Sequence, residues 1–115
     1  MHEMALAQDI IQILHNYLQN IDLNNVTVVR LSIGVLMTVE QESLKFAYGV
    51  LTEKTPLQNS KLEIIEEPLT VSCNNCGNTY IVKNFQYTCS QCKNTNYSII
   101  MGKEMYVKEV EVEQK

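Results

Sequence analysis

The chain has few of the residues and motifs on which common catalytic sites depend. Its 115 residues include four glycines, too few for a phosphate-cradling loop, and contain no GxSxG, Walker, GxGxxG or HExxH motif. Its carboxylates, such as Glu40, Glu42, Glu66 and Glu67, are typical of solvated helix and strand faces. We therefore predict that the protein is not an enzyme.

The sequence also lacks an excess of positive charge and any long apolar run. A net charge of -4 and a pI of about 5.1 argue against a phosphate-binding surface, so we expect no nucleic-acid partner. No stretch of about 18 apolar residues predicts a membrane span, and the first residues lack the basic n-region of a signal peptide. We expect a cytoplasmic protein, where reducing conditions make disulfides the less favoured use of its four cysteines.

Hydrophobic periodicity predicts an α+β fold with two helices packed on a three-stranded mixed sheet. The first helix carries its apolar residues at three- and four-residue steps and ends at Asn24-Asn25. The residues of this apolar stripe are Leu6, Ile10, Ile13, Leu14, Tyr17 and Ile21.

Three further segments have the pattern of strands, and one has the pattern of a second helix. "VTVVRLSIG" alternates apolar and polar residues up to Gly34, as a half-buried strand does, "KLEII" follows the loop "PLQNS", and "GKEMYVKEVEVE" provides the third strand. The second helix fits Glu40 to about Thr52, and Thr38 and Gln41 have the spacing of a capping box at its start.

All four cysteines fall in the segment before the third strand. Cys73-x2-Cys76 and Cys89-x2-Cys92 are separated by twelve residues, and this spacing predicts a zinc ribbon, in which each CxxC turn directs two thiolates at one tetrahedral zinc ion. We assign residues 69–100 to this inserted zinc-ribbon domain and residues 1–68 plus 101–115 to the α/β domain. A rubredoxin-like iron site and two disulfides suit the spacing less well. Four cysteine ligands leave no open position for water, so the zinc is expected to be structural.

The residues after each cysteine pair are part of the prediction. Gly77 follows the first pair, at a position where a zinc knuckle often needs a positive φ. Lys93 and Asn94 follow the second pair and suit such a turn less well than glycine, although asparagine tolerates the left-handed region.

Only two histidines occur, and they cannot share a metal within one chain. On one helix, His2 and His15 would lie roughly 20 Å apart, and His15 has the position of an ordinary surface residue. At the terminus, the Met1 amine, the His2 amide nitrogen and the His2 imidazole can close adjacent chelate rings, and Glu3 can fill remaining positions. Such a nitrogen-rich set suits Ni(II) or Cu(II). From these residues alone, an accidental histidine is the commoner interpretation.

Several segments together resemble the hydrogenase nickel-insertion accessory proteins of the HypA/HybF family. These segments are "MHEMALAQDI", "RLSIG", "ESLKFAYGVL", the four-cysteine ribbon and "GKEMYVKEVEVE", and the resemblance runs essentially end to end. It implies nickel binding at Met1, His2 and Glu3, with a weaker candidate ligand at Glu40, and structural zinc at the four cysteines. The second knuckle departs from the family's common Cys-Pro-x-Cys-Gly because it reads "CSQCKN".

The resemblance also implies a function and a set of partners. It predicts a nickel metallochaperone that passes transiently bound Ni(II), with the nickel-handling GTPase of the hydrogenase maturation pathway, to the large-subunit precursor of a nickel-iron hydrogenase. Urease maturation factors are further candidate partners. One alternative is a zinc ribbon that binds nucleic acid or protein, and another is a rubredoxin-like electron carrier. The residues that favour the nucleic-acid alternative are Lys83, Lys93, Lys103, Lys108, Tyr80, Phe85, Tyr87 and Tyr97.

Overall fold

Two α-helices and six β-strands form the secondary structure of residues 2–113, the part of the chain that this computed structural model describes. The helices are α1 (Glu3–Tyr17) and α2 (Gln41–Thr52). The strands are β1 (Val26–Gly34), β2 (Lys61–Glu67), β3 (Thr70–Cys73), β4 (Thr79–Ile81), β5 (Tyr97–Met101) and β6 (Met105–Val112). Met1, a predicted nickel ligand, lies outside the described residues.

The chain divides into two compact units, each with a three-stranded sheet. The first unit comprises the described residues up to Ser32, together with Val39–Ile65 and those from Tyr106 onward, and the second comprises Ile33–Thr38 and Glu66–Met105. The strand orders are β2-β1-β6 in one sheet and β4-β3-β5 in the other. The two helices and the three-stranded mixed sheet are therefore confirmed, whereas the boundaries 1–68 plus 101–115 and 69–100 stay a prediction of domain organisation.

Helix α1 buries the apolar stripe but ends earlier than the sequence predicts. Leu6, Ile10 and Leu14 are buried in the core. The helix stops at Tyr17, which is 83% exposed, and Ile21 lies in the turn that follows. Extending the helix to Ile21 was therefore wrong. The turn ends where the side chain of Asp22 accepts the N–H of Asn24, since a short polar side chain competes with helical hydrogen bonds.

Helix α2 has the predicted position but a different cap. The predicted capping box is wrong, because Thr38 has a φ of 50° and its hydroxyl donates to the carbonyl of Met37. The N-cap is Glu40, whose carboxylate accepts the N–H groups of Glu42 at 3.1 Å and Ser43 at 3.3 Å. The sequence pattern placed the helix start correctly and assigned the wrong residue to satisfy its free N–H groups.

Central strand β1 follows the predicted alternation on one face only. Val29, Leu31 and Ile33 are buried as predicted, but Ser32 is also fully buried, so the strand is not half-buried at that position.

Within the described residues, no helix combines the length and the apolar character that a membrane crossing requires.

Arg30 joins the three strands of the first sheet. Its guanidinium donates to Glu63 on β2 at 2.9 Å and to Glu109 and Glu111 on β6 at 2.8 Å and 3.1 Å. Burial alone would lower the pKa of Arg30, but the hydrogen bonds to Glu111 and Glu109 and the nearby negative charges raise it. The residue therefore links the three strands through charge-assisted hydrogen bonds between side chains.

Two glycines allow backbone segments of the second unit to approach closely. A Cβ atom at Gly34 would overlap the backbone of Gly102, and Gly102 itself has a φ of 112°, which favours glycine. The N–H of Gly34 donates to the carbonyl of Glu104, and the N–H of Leu36 donates to the carbonyl of Gly102, both at 2.9 Å. Residues 33–38 are thus hydrogen-bonded to the segment that leads out of β5.

Candidate metal centre

The four cysteines predicted as zinc ligands converge in the second unit. Their sulfur atoms all lie within 4.8 Å of one another, with Cys73 and Cys92 at 3.4 Å and Cys76 and Cys89 at 3.6 Å. Four zinc–sulfur bonds of about 2.3 Å in a tetrahedron place sulfur atoms about 3.8 Å apart. A disulfide would need about 2.05 Å, and none of the four cysteines is paired in this way. The geometry therefore fits one tetrahedral metal ion.

The first knuckle begins where strand β3 ends at Cys73. The N–H of Cys73 donates to the carbonyl of Asn78 at 2.8 Å, and the N–H of Gly77 donates to the carbonyl of Cys73 at 2.9 Å. Gly77 has the predicted positive φ, 77°. This closed turn directs Cys73 and Cys76 toward the same point.

The second knuckle repeats this pattern without a glycine. The N–H of Cys89 donates to the carbonyl of Asn94, and the N–H of Lys93 donates to the carbonyl of Cys89, both at 2.9 Å. The positive φ, 65°, falls on Lys93 and not on Asn94. The position in the turn decides this, because Lys93 directly follows the second cysteine as Gly77 does in the first knuckle. A lysine in this backbone region costs on the order of 1 kcal/mol relative to glycine.

Asparagines supply contacts around the sulfur atoms that the sequence analysis missed. The side-chain N–H of Asn78 points at the sulfur of Cys89 at 3.7 Å, and the side chain of Asn75 hydrogen-bonds the sulfur of Cys92. Such N–H donors stabilise thiolates and orient them for a metal. The repeated Cys-x-x-Cys-x-Asn pattern was the sequence signal for Asn78.

The thiols of the four-cysteine cluster differ widely in proton affinity. The backbone N–H groups of Cys92 and Gln91 lower the pKa of Cys89 to about 6. The N–H of Asn78 acts in the same direction on Cys76, but burial and the neighbouring sulfur atoms raise its pKa to about 12. Four thiolates this close repel one another, so a cation is needed to hold all four in the ionised form.

The other predicted site residues lie at the start of α1. His2 is the N-cap of this helix and is exposed, and the first helical hydrogen bond runs from the N–H of Leu6 to the carbonyl of His2 at 3.1 Å. The helical ladder therefore leaves the amide nitrogens of His2 and Glu3 unused. His15 is exposed in the last turn of the same helix, at the opposite end from His2.

The structure brings Glu3 and Glu40 together, although they are far apart in sequence. A carboxylate oxygen of Glu3 accepts the backbone N–H of Glu40 at 3.2 Å. This bond, followed by one from its own N–H, lowers the pKa of Glu3. The start of α1 is thereby fixed beside the start of α2, where the carboxylate of Glu40 is already engaged as the cap.

Comparison with known proteins places nearly all of the chain in one family. Residues 1–112 match the family model described as "Hydrogenase/urease nickel incorporation, metallochaperone, hypA". The protein named "Hydrogenase maturation factor HypA" from Acidithiobacillus ferrooxidans is 35% identical over 113 residues, which cover 98% of this chain and 100% of that protein. The protein of the same name from Moorella thermoacetica is 34% identical over 107 residues, covering 93% of this chain and 95% of the other.

Solved structures show the same fold. The solution structure of the Ni metallochaperone HypA from Helicobacter pylori matches with a TM-score of 0.70 and 20% identity, covering 97% of each chain. A second solution structure of a HypA protein matches with a TM-score of 0.74, also at 20% identity, covering 97% of this chain and 96% of that one. At this identity, the likeness concerns the fold.

Proposed function

This chain belongs to the HypA family of nickel-incorporation metallochaperones, and we propose that it binds Ni(II) at its amino terminus and delivers it to the large-subunit precursor of a nickel-iron hydrogenase. The observation that supports this most directly is the placement of His2. It is exposed immediately before α1, while Glu3 is oriented by its bond to Glu40. A carrier needs an accessible site from which the metal can leave, and this position meets that need.

The proposed nickel ligands come from consecutive residues, with Met1 taken as the amino-terminal residue of the protein. The Met1 amine, the His2 amide nitrogen and the His2 imidazole form adjacent five- and six-membered chelate rings, and Glu3 offers an amide nitrogen and a carboxylate. Because the helix uses neither amide nitrogen, nickel can bind them without breaking a helical hydrogen bond. Glu40 is a weaker candidate, since its carboxylate already accepts two N–H groups.

The metal proposed for the four-cysteine site is zinc, in a structural role. Four sulfur ligands at tetrahedral spacing suit zinc, and the complete ligand set leaves no position for a reacting water. The protein then acts as a carrier and not as an enzyme. Zinc binding supplies folding free energy to the second unit, whose short strands bury few large side chains.

The proposed partners are the nickel-handling GTPase of the maturation pathway and the hydrogenase precursor, with urease maturation factors as further candidates. We expect the GTPase to bind weakly and reversibly to α1 near the nickel terminus, since the chain has no nucleotide-binding loop of its own. The proposed compartment is the cytoplasm, where thiols stay reduced and can hold zinc.

Nickel calorimetry on terminal variants tests the proposal. Adding two residues before Met1 converts its amine into an amide, and His2→Ala removes the imidazole, so each change should weaken nickel binding severely. Zinc content and fold should stay unchanged in both variants. His15→Ala is the matched control, because it removes the second exposed histidine of the same helix. Equal nickel affinity in the native, extended and His2→Ala proteins would refute the terminal site.

A further inference from the structure

The four cysteines of the second unit, which we call the zinc-binding unit, differ in how well solvent reaches them. Cys73 and Cys89 are buried, with exposed fractions of 2% and 0%, whereas Cys92 is half-buried and Cys76 is exposed. Each knuckle thus places one cysteine inside the unit and the other nearer to its surface. An oxidant dissolved in water therefore reaches Cys76 more easily than any other cysteine of the cluster.

Hydrogen bonds to sulfur also distinguish Cys76 from Cys92, the other cysteine that solvent can reach. The sulfur of Cys92 accepts N–H groups from the side chain of Asn75 and the backbone of Asn94. The sulfur of Cys76 accepts the backbone N–H of Asn78 and otherwise contacts the neighbouring sulfur atoms. Each N–H donor stabilises negative charge on a thiolate and so lowers its nucleophilicity. Cys76 is therefore the more reactive of the two accessible sulfur ligands.

A second sulfur atom lies close enough to Cys76 to form a disulfide with it. The sulfur atoms of Cys76 and Cys89 are 3.6 Å apart, and those of Cys73 and Cys92 are 3.4 Å apart. Both of these close pairs join one knuckle to the other. Shortening the first distance to the length of a disulfide needs a movement of about 1.5 Å, which the side chains can make once the metal no longer holds them.

We propose that Cys76 is an oxidation site, at which a hydroperoxide such as hydrogen peroxide converts the zinc-bound thiolate into a disulfide with Cys89 and thereby releases the zinc. This inference rests on the structural zinc of the proposed function and is independent of nickel. Zinc release removes the folding free energy that the metal supplies to the zinc-binding unit. Thiol reductants reverse the disulfide, after which zinc can bind again.

The oxidation takes place in two steps. First, a lone pair on the sulfur of Cys76 attacks one oxygen of the peroxide, the O–O bond breaks, and the leaving hydroxide takes up a proton to become water. This step oxidises the sulfur by two electrons to a sulfenic acid and reduces the peroxide. Second, the thiolate of Cys89 attacks the sulfenic sulfur, the S–S bond forms, and hydroxide leaves and is protonated to water. One peroxide and two protons thus convert two thiolates into one disulfide and two water molecules.

Treatment of the zinc-loaded protein with one equivalent of hydrogen peroxide tests the assignment. Zinc should be released in proportion to the disulfide formed, and a chromophoric chelator measures the release. Trypsin cleaves after Lys83, between the two CxxC pairs, so a disulfide between the knuckles joins two peptides that otherwise separate. Tandem mass spectrometry should identify the linkage as Cys76–Cys89. A zinc content that peroxide leaves unchanged, zinc release with Cys76 still reduced, or a disulfide confined to one knuckle would overturn the proposal.

Two histidine variants provide a matched comparison. Cys76→His and Cys92→His each leave three thiolates and one imidazole, a ligand set that structural zinc sites commonly use. Because Cys92→His retains the exposed thiolate, peroxide should release its zinc about tenfold faster than it releases zinc from Cys76→His. Equal rates in the two variants would overturn the assignment to Cys76, and if either variant binds no zinc, the peptide linkage in the native protein decides. Native protein that contains no zinc when purified would instead refute the zinc assignment itself.

Discussion

Lys93 and Gly77 occupy equivalent places in the two knuckles, yet only one of them is a glycine. Lys93→Gly should stabilise the zinc-bound protein by about 1 kcal/mol, because glycine adopts the required positive φ without a Cβ clash. Thermal unfolding and zinc competition with a chelator would measure the change. Gly77→Ala is the reverse experiment and should destabilise by a similar amount; a less stable Lys93→Gly protein would show that the lysine side chain has another role.

At the residue scale, the sequence predicted the convergence of the four cysteines better than it predicted the turns. The CxxC spacing identified the four cysteines whose sulfur atoms converge. The glycine at position 77 indicated the positive φ that is found there. The second knuckle carries no glycine, so its sequence did not mark which residue has the positive φ; the geometry that the knuckle imposes puts it on Lys93. Neither the contact of Glu3 with Glu40 nor the positive φ of Phe85 had a local sequence signal, since both depend on tertiary structure or on turn register.

At the scale of the helices and strands, Glu40 has two candidate roles. It is the N-cap of α2, and it is the weaker candidate ligand for nickel. Glu40→Ala should lower stability by about 1 kcal/mol, because the N–H groups of Glu42 and Ser43 lose their acceptor. Glu40→Ser should retain most of the stability, since serine is a preferred N-cap. Denaturant unfolding would measure both effects.

The same two variants decide whether Glu40 also binds nickel. Loss of nickel affinity in Glu40→Ser, with stability retained, would identify the carboxylate as a ligand. Unchanged affinity in that variant would leave Glu40 as a cap that positions Glu3 through its backbone N–H.

Hydrophobic periodicity predicted the elements of the first unit but not their ends. Helices α1 and α2 and strands β1, β2 and β6 lie where the pattern placed them. Turn-forming polar residues ended α1 at Tyr17, before the apolar stripe ended. In the zinc-binding unit, β3, β4 and β5 had no readable period, because a short sheet stabilised by metal ligands does not need a continuous apolar face.

For the molecule as a whole, the metal centre should control the stability of one unit more than the other. Cys73→Ser should abolish zinc binding and disorder roughly residues 69–100, because three sulfur ligands no longer complete the tetrahedron. The first unit should partly survive, since its core residues, such as Ile10, Leu31 and Leu44, lie outside the ribbon. Elemental analysis and amide hydrogen exchange would measure both effects.

Two results would contradict this division of stability. A well-folded native sample without zinc, or with iron in its place, would refute the assignment of the metal. Uniform loss of exchange protection in Cys73→Ser, extending through α1 and β1, would show that the two units unfold as one.

The hydrogen bonds between residues 33–38 and the end of the ribbon determine which fragments of this protein can fold. A synthetic peptide of residues 66–105 would contain every sulfur ligand, yet it would lack the strand end that supplies N–H donors to Gly102 and Glu104. The close passage at Gly34 also means that the missing piece cannot be replaced by an arbitrary sequence. The four-cysteine segment is therefore not an independent folding fragment. A minimal fragment, or a chimera that places this segment in another protein, has to include residues 33–38.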